Sequence, residues 1–528
     1  VKKTDKNKVF DTDHLKADLK KHAVKGAGAT IFSNVMDYAI QMIATIVLAR
    51  LLKPEDFGLV AMVTAFSILF QNFGMRGFTE ATVQSEYVDH RTVSTLFWIH
   101  IGISTLLGMG FIAFSPVLAW LYSEPRIIWI SVAISANFLF FALATQPMAL
   151  LSRNMQFWRV AGMEIGANIL SVIVAIVFAV SGAQYWSLVA RRVSLPLGWV
   201  ILGFILCRWL PGLPARGTGV WKMVKFGINT YGNFMVNYGT RNLDKVLIGW
   251  KHGSASLGFY DRAYYLFVMP VNQLSYPLTN VAVSALSKLH DDIERFRSYY
   301  LKSISMLALV GMPLSAVLTI IGRDFILLLL GPQWDKAGEI FSYFGPGIGI
   351  MLVYGTHGWL HLSLGRADRW FRWGIIELIV TIGFFMAGLP FGAAGVAVAY
   401  VLSIFFLSGP GLWYAGLPIN LTISSLVAAV WKFFAAAVAA GVVSWHVLYT
   451  YAPTARAFAD LNIIFRLALA TTLCSVLYLI LVVLVHGGLG PIRQFVYLVR
   501  EMIPGLPSPA SAVRADEPVE GGPGEERM

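Results

Sequence analysis

The chain is short of charge. Of 528 residues only 13% are Asp, Glu, Lys or Arg, while 57% are hydrophobic. A water-soluble chain of this size carries about twice that share of charge, so a soluble globular enzyme is excluded. Cysteine is scarce as well: Cys207 and Cys474 both sit inside apolar runs. Neither a disulfide framework nor a cysteine-based zinc site can be built from them. No Gly-rich loop ending in Gly-Lys-Ser/Thr occurs, so ATP hydrolysis within the chain is not supported. A metal-like spacing, His357-Gly-Trp-Leu-His361, lacks the glutamate of zinc proteases, since position 358 is glycine. No cleavable signal peptide is expected, because the first thirty or so residues are polar and the first apolar run is too long for one.

In place of charge the chain has apolar runs of about twenty residues, repeated along most of its length. They predict an all-α polytopic membrane protein with about 14 transmembrane helices, at about 29–51, 57–75, 93–115, 126–148, 158–181, 184–208, 222–248, 257–285, 299–322, 338–364, 370–389, 392–416, 424–449 and 462–486. The net charge of +12 has a topological cause rather than a nucleic-acid one. Lys and Arg are retained in cytoplasmic loops. If the N-terminus is inside, cytoplasmic loops hold the basic clusters Arg208, Arg216, Lys222 and Lys225, then Lys288, Arg295, Arg297 and Lys302, then Arg366, Arg369 and Arg372. Extracytoplasmic loops hold fewer. Both termini are therefore expected in the cytoplasm.

Residues 1–28 form a basic N-terminal segment, expected either as a helix on the membrane surface or as a solvated tail. Residues 487–528 end in a stretch rich in Pro, Gly, Ser and Glu and read as a cytoplasmic disordered tail. Between them, 29–208 forms one lobe, 209–221 a linker, 222–416 a second lobe and 424–486 two extra spans. Two further features are expected. Ser287 to Lys302 reads as an amphipathic surface helix, and Gly322 to Trp334 as a short separate helix.

One stretch stands out, from Asn229 to Arg262. Its first part spans, yet Asn229, Asn233, Asn237, Arg241 and Lys245 recur every four residues, with Asp244 on the same edge. Four-residue steps stack side chains on one helix face. A charge in a bilayer costs about 2.5–3.5 kcal/mol even on lenient scales. The edge is therefore expected to face a wet cavity for a polar, anionic substrate. The alternative is a polar seam satisfied between packed helices.

The sequence also repeats. ARLLKPEDFGLVAM from Ala49 and IGWKHGSASLGFYDR from Ile248 both place a glycine after an apolar residue beyond a short turn: Phe57-Gly58 and Leu257-Gly258. Gly182-Ala183 and Gly392-Ala393 match in the same way. Spans one to six thus pair with seven to twelve, in the same orientation, which implies two pseudo-symmetric six-helix bundles with a cleft between them. Span one is then the counterpart of span seven, and it too has a polar edge: Asn34, Asp37, Gln41 and Thr45. Of the other polar residues, Arg50 reads as an interfacial anchor, and Asp261 with Arg262 as an interface pair. Glu377 is expected to pair with Arg372 or Arg369. Glu164 and Asn168 face either the cavity or a neighbouring helix.

LARLLKPEDFGLVAMV, VQSEYVDHRTVSTLFWIH, PMALLSRNMQFWRVAGME, GINTYGNFMVNYGTRNLDKVLIGW, LGFYDRAYYL and LSKLHDDIERFR occur in this order between about Lys25 and Ile480. With them the chain resembles the polysaccharide flippases of the multidrug/oligosaccharidyl-lipid/polysaccharide superfamily, of the colanic-acid-exporter type among lipopolysaccharide biosynthesis proteins. The resemblance implies a V-shaped pair of bundles in the inner membrane working by alternating access. It implies transfer of an undecaprenyl-pyrophosphate-linked oligosaccharide to the periplasmic leaflet, for surface or exopolysaccharide biosynthesis, alongside polymerase and export machinery. On that reading Arg241 and Lys245 attract the phosphates. Asn229, Asn233, Asn237, Tyr238, Gln41 and Asn34 bond sugar hydroxyls. Asp244 orients Arg241, Asp37 carries a coupling proton and Glu164 is a further charge-orienting group. No catalytic residue, metal or cofactor is expected, with H+ or Na+ as the coupling ion. The competing readings are a cation-coupled multidrug antiporter of the same superfamily and a membrane-embedded polysaccharide polymerase or ligase. The basic seventh span disfavours cationic drugs, and the short extracytoplasmic loops offer no paired acids for an enzyme.

Overall fold

The computed structural model describes residues 19–84, 89–215 and 221–502. Most of the basic N-terminal segment and the residues after 502 lie outside them, as do the expectations placed there. Six helices form the first half: α1 (Leu19–Leu51), α2 (Pro54–Gln84), α3 (His90–Tyr122), α4 (Arg126–Arg153), α5 (Phe157–Val180) and α6 (Tyr185–Cys207). The second half opens with α7 (Trp221–Lys288), which breaks at Gly253 into two arms. It continues through α8 (Ile293–Leu330), α9 (Asp335–Phe344), α10 (Gly347–Gly355), α11 (His357–Ser363), α12 (Ala367–Gly388) and α13 (Gly392–Gly416). Then come α14 (Ile423–Trp445), α15 (Ala452–Ala459), α16 (Ile463–His486) and α17 (Gly490–Met502). With the two arms of α7 taken separately and α9–α11 as one broken crossing, the described residues make the fourteen traverses that the apolar runs predict. Nine helical segments among them are long and apolar enough to cross a membrane by those criteria alone. The chain is a multi-pass membrane protein.

Local chemistry sets the turns. Glu55 and Asp56 fill the first turn of α2 behind Pro54, and the Lys53 backbone N–H donates to the Asp56 carboxylate at 2.9 Å. Acidic side chains there satisfy amides that have no helical partner and suit the positive end of the helix. Asp89 caps α3 in the same way, accepting from the Thr92 N–H at 2.8 Å, and Asp292 caps α8, accepting from Arg295 N at 3.1 Å. Two expectations fall here. Residues 289–292 are a turn with α8 starting at Ile293, so no separate surface helix exists. The apolar run after Gly322 is the last part of α8, which continues unbroken to Leu330 and stops at Gly331. Nothing in Arg323–Leu330 interrupts the helical pattern, so the helix runs on.

The two halves form two bundles that meet along α2 and α7. Their symmetry is explicit at the meeting point. Gly58 and Gly258, exactly the pair that the repeat aligns, pack against each other with no room for a side chain on either. A Cβ on Gly58 would overlap the Ser254 carbonyl and stand 3.0 Å from Gly258 N; one on Gly258 would overlap the Pro54 carbonyl and stand 3.2 Å from Gly58 N. Each contact is the mirror of the other in a shift of 200 residues, from 54 to 254 and from 58 to 258. Gly253, at φ 78°, supplies the break that the Lys53 turn supplies in the first half. The turns before α6 and α13 also match, with Gly182 at φ 81° and Gly392 at φ 76°.

The same end is tied by hydrogen bonds across the bundles. Gln333 Nε2 donates to the carbonyls of Ala49 (2.6 Å) and Leu52 (3.1 Å), and Trp334 Nε1 to that of Ala49 (2.8 Å). Trp334 is fully buried, edge-on to Phe57 of the first bundle and Phe259 of the second. Arg50 does more than anchor at an interface: it donates to the Leu328 and Leu329 carbonyls at the end of α8, where helix carbonyls lack partners. The last two crossings, α14 and α16, lie outside the repeat and pack on α8. The core they share with α8 includes the small residues Ala436, Ala440, Ala470 and Cys474 beside Phe433 and Tyr478, and small residues let membrane helices approach closely.

Candidate functional site

Below the glycine crossing the bundles part around a cavity of about 540 Å³. Its walls come from both halves: α1 and α2, α5 and α6 on one side, the two arms of α7 on the other. Among the described residues four cations line it, Arg191, Arg192, Lys245 and Arg262, against one carboxylate, Asp261. Arg192, on α6, lines the cavity with an accessible side chain. Among the described residues the Arg191 and Arg192 side chains have neither a hydrogen-bond nor an ion-pair partner.

The break at Gly253 folds the second arm of α7 back beside the first. That brings Lys245 and Asp261, sixteen residues apart, to 2.8 Å. Arg262 Nη2 meets the other oxygen of Asp261 at 2.6 Å and its guanidinium lies 4.9 Å from the Phe57 ring centre, across the bundle boundary. The expectation that Asp261 and Arg262 form a mere interface pair is thus corrected. They belong to the cavity wall because the second arm is tucked inward rather than displayed at the surface.

Of the sites expected from sequence, Lys245, Tyr238, Gln41 and Thr45 line the cavity. Tyr238 donates to the Ala65 carbonyl of α2 at 2.9 Å, and Tyr265 of α7 donates to Gln41 Oε1 at 3.4 Å; both bonds bridge the bundles. Asn34 is exposed and is not in the wall. Asp37 accepts from Asn168 Nδ2 at 3.0 Å and Glu164 from the Ser33 hydroxyl at 2.9 Å. These bonds tie α1 to α5, and of the four residues only Asn168 lines the cavity. Asp244 points away, into protein, where the Tyr260 hydroxyl donates to it at 2.6 Å. The side chains of Asn229, Asn233, Asn237 and Arg241 lie outside the described residues. Arg372 pairs with Asp368 rather than with Glu377, because the i, i+4 step within one turn of α12 is shorter.

Sequence reasoning missed Arg191 and Arg192. Their signal is plain: two adjacent arginines in the middle of YWSLVARRVSLPLGW, where each costs as much as the charges of α7. It missed Asn242, Tyr264 and Asn272 too, which carry no charge to mark them. The assembled site is a cationic chamber with tyrosine and amide edges. Guanidinium and ammonium groups bind phosphate oxygens strongly, and the neutral edges suit hydroxyl-rich groups. Among the described residues no cluster of His, Cys, Asp and Glu could hold a metal ion.

A family model described as polysaccharide biosynthesis protein matches residues 47–339. Among curated proteins, the teichuronic acid biosynthesis protein TuaB of Bacillus subtilis is 26% identical over 432 residues, 81% of this chain and 89% of its own. The lipopolysaccharide biosynthesis protein WzxC of Escherichia coli is 22% identical over 395 residues, 73% of this chain and 79% of its own. Among solved structures, the lipid II flippase MurJ in an inward closed conformation superposes with a TM-score of 0.69 at 15% identity, covering 87% of this chain and 98% of its own. An inward-facing multidrug resistance transporter of the MATE family gives 0.55 at 12% identity, covering 73% and 94%.

Proposed function

The chain belongs to the polysaccharide biosynthesis protein family, a family of membrane flippases and transporters, and from that premise we propose that it moves an undecaprenyl-pyrophosphate-linked oligosaccharide from the cytoplasmic to the periplasmic leaflet. The observation that carries this reading is the cationic chamber between the bundles: Arg191, Arg192, Lys245 and Arg262 against Asp261, the one carboxylate among its described lining residues. A pyrophosphate carries the charge that such a site attracts, and a bilayer gives it no other resting place. Tyr38, Gln41, Asn168 and Asn272 offer hydrogen bonds to the first sugars. The volume holds the pyrophosphate with a sugar or two, so the rest of the glycan and the lipid tail extend beyond it. Arg241, four residues before Lys245, shares its helical edge by register and is a further phosphate contact. Asn229, Asn233 and Asn237 continue that edge towards the glycan.

Alternating access supplies the movement. With both termini in the cytoplasm of the inner membrane, the end sealed by Gly58, Gly258 and Trp334 faces the periplasm. The state seen is then the one closed on that side. The lobes rock so that this seal opens as the cytoplasmic end closes, and Asp37 on α1 is the group to carry a coupling proton. Sodium is the alternative ion. The chain performs no covalent chemistry on its cargo. A cationic chamber disfavours the drug-antiporter reading, since positively charged drugs would be repelled.

The purified full chain in liposomes, given a fluorescent undecaprenyl-pyrophosphate-linked oligosaccharide in one leaflet, tests this. Inversion of the probe without any change in its covalent structure is expected. Arg192→Gln should slow it by at least tenfold with unchanged protein insertion. Wild-type inversion rates in that variant, or a covalently altered probe, would refute the reading.

A further inference from the structure

We propose that Asp261 is a built-in counter-anion that holds the phosphate donors while the chamber is empty and yields them to the incoming substrate. The inference rests on the pyrophosphate reading and goes further, by giving a role to the one carboxylate in the cationic wall.

Its geometry is that of a phosphate surrogate. The two oxygens of Asp261 are divided between two cations, Oδ1 with Lys245 Nζ at 2.8 Å and Oδ2 with Arg262 Nη2 at 2.6 Å. Two oxygens of a phosphoryl group would seek those same donors. Asp261 is 7% exposed and sits on the second arm of α7, bridging the two cations at the cavity wall. Across the chamber the Arg191 and Arg192 side chains have no hydrogen-bond or ion-pair partner among the described residues, and Asp261 acts on Arg192 only at longer range. The wall is therefore graded. An arriving anion meets the unneutralised arginines of the first bundle and must then compete with Asp261 for the cations of the second.

This grading answers a problem that every carrier of a charged group faces. A chamber with four unopposed cations would hold its cargo equally well before and after the lobes move, and uniform tight binding slows turnover. A competing carboxylate lowers the depth of the well. It also provides the displaced cations with a partner as the cargo leaves, so that release does not strand charges in the membrane. Asp261 joins both arms of α7, since Lys245 lies before the break at Gly253 and Asp261 after it. Occupation of Lys245 by cargo thus frees one of the bonds that join the arms, while Tyr260 to Asp244 remains.

The test uses the purified full chain and farnesyl pyrophosphate as a lipid-pyrophosphate probe, with leaflet inversion of the lipid-linked oligosaccharide measured in parallel. Asp261→Asn should bind the probe about tenfold more tightly than the parent chain. Its inversion kinetics should show both KM and kcat falling, a split that a loosened fold does not produce. Asp261→Glu, which keeps the charge, should bind the probe as the parent does. Asp261→Ser carries the same expectation as the amide and covers the case in which the amide does not fold. Unchanged or weaker probe binding in the Asn and Ser variants would overturn the role of Asp261 while leaving the pyrophosphate reading intact. Absence of probe binding to every chain, parent included, would overturn both.

Discussion

Replacing Gly58 with alanine should bias the transporter away from the state seen here. The methyl group would overlap the Ser254 carbonyl, and its three nearest neighbours, Ser254 O, Ser254 C and Gly258 N, all belong to the other bundle. No atom of the first bundle is among those three. The substitution is therefore silent in any state where the bundles are apart at this end and costly where they meet. Backbone cannot rotate aside as a side chain can, so the cost falls in the usual overpacking range of about 1–3 kcal/mol. A differential of that size shifts the ratio of the two states by roughly 5- to 150-fold. Nitroxide labels at Lys53 and Lys336, exposed positions on either side of the seal, would report the change as a longer interspin distance. Cys207 and Cys474 are buried and would not compete for label. Gly258→Ala should behave alike, because its nearest neighbours are Pro54 and Gly58 of the first bundle. Gly102→Ala, which meets nothing within 4 Å, is the control. If Gly58→Ala keeps the parent distance distribution, the seal does not depend on this crossing and the reasoning fails.

Gln333→Ala removes two cross-bundle hydrogen bonds and should open the same end more weakly, by about 1–2 kcal/mol, again read as a longer Lys53–Lys336 distance; an unchanged distance would assign Gln333 to local packing. Asp37→Asn keeps a hydrogen-bonding partner for Asn168 but cannot take up a proton. It should bind farnesyl pyrophosphate normally and lose any acceleration of inversion by an imposed proton gradient; retained acceleration would remove Asp37 from the coupling role. Arg126→Ala breaks contacts to Glu55 and Glu124 at an exposed bundle end, where ion pairs contribute about 0–1 kcal/mol. Its thermal midpoint and inversion rate should stay close to those of the parent chain.

The fourteen crossings were legible because apolar length is a local property, and the bundle pairing because Phe57-Gly58 and Leu257-Gly258 fall at the same step of the repeat. The physical reason for those glycines was not legible: only the docked backbones reveal that each faces the other's neighbour. The helical-edge rule found Lys245 and Gln41, and the family resemblance added Tyr238; all three line the cavity. The edge rule did not find that Asp244, one residue before Lys245, turns away to Tyr260. A helical wheel has no knowledge of which sector a neighbouring helix will cover. Asp261 and Arg262 looked peripheral because they begin a predicted span, and only the tight reversal at Gly253 carries them inward. Arg191 and Arg192 needed no structure at all; the cost of two charges inside an apolar run was sufficient to mark them.

The backbone symmetry of the two halves and the asymmetry of their charges serve different ends. Matched turns at 53 and 253, and matched glycines at 58 and 258, give the bundles a self-complementary edge, so the seal forms between like surfaces. The charges obey no such shift. The first bundle presents Arg191 and Arg192 to the cavity and engages two of its acids, the half-buried Asp37 and Glu164, in bonds between α1 and α5. The second presents Lys245 and Arg262 already joined to Asp261. If both walls were neutralised alike, an anion would gain little by entering; if neither were, the empty bundles would repel each other across the cavity and the seal would have to bear that load. One open wall and one self-paired wall avoid both outcomes. An anion bound between them attracts the bundles together below the seal, so loading of the cavity and the position of the lobes are linked through the same four cations.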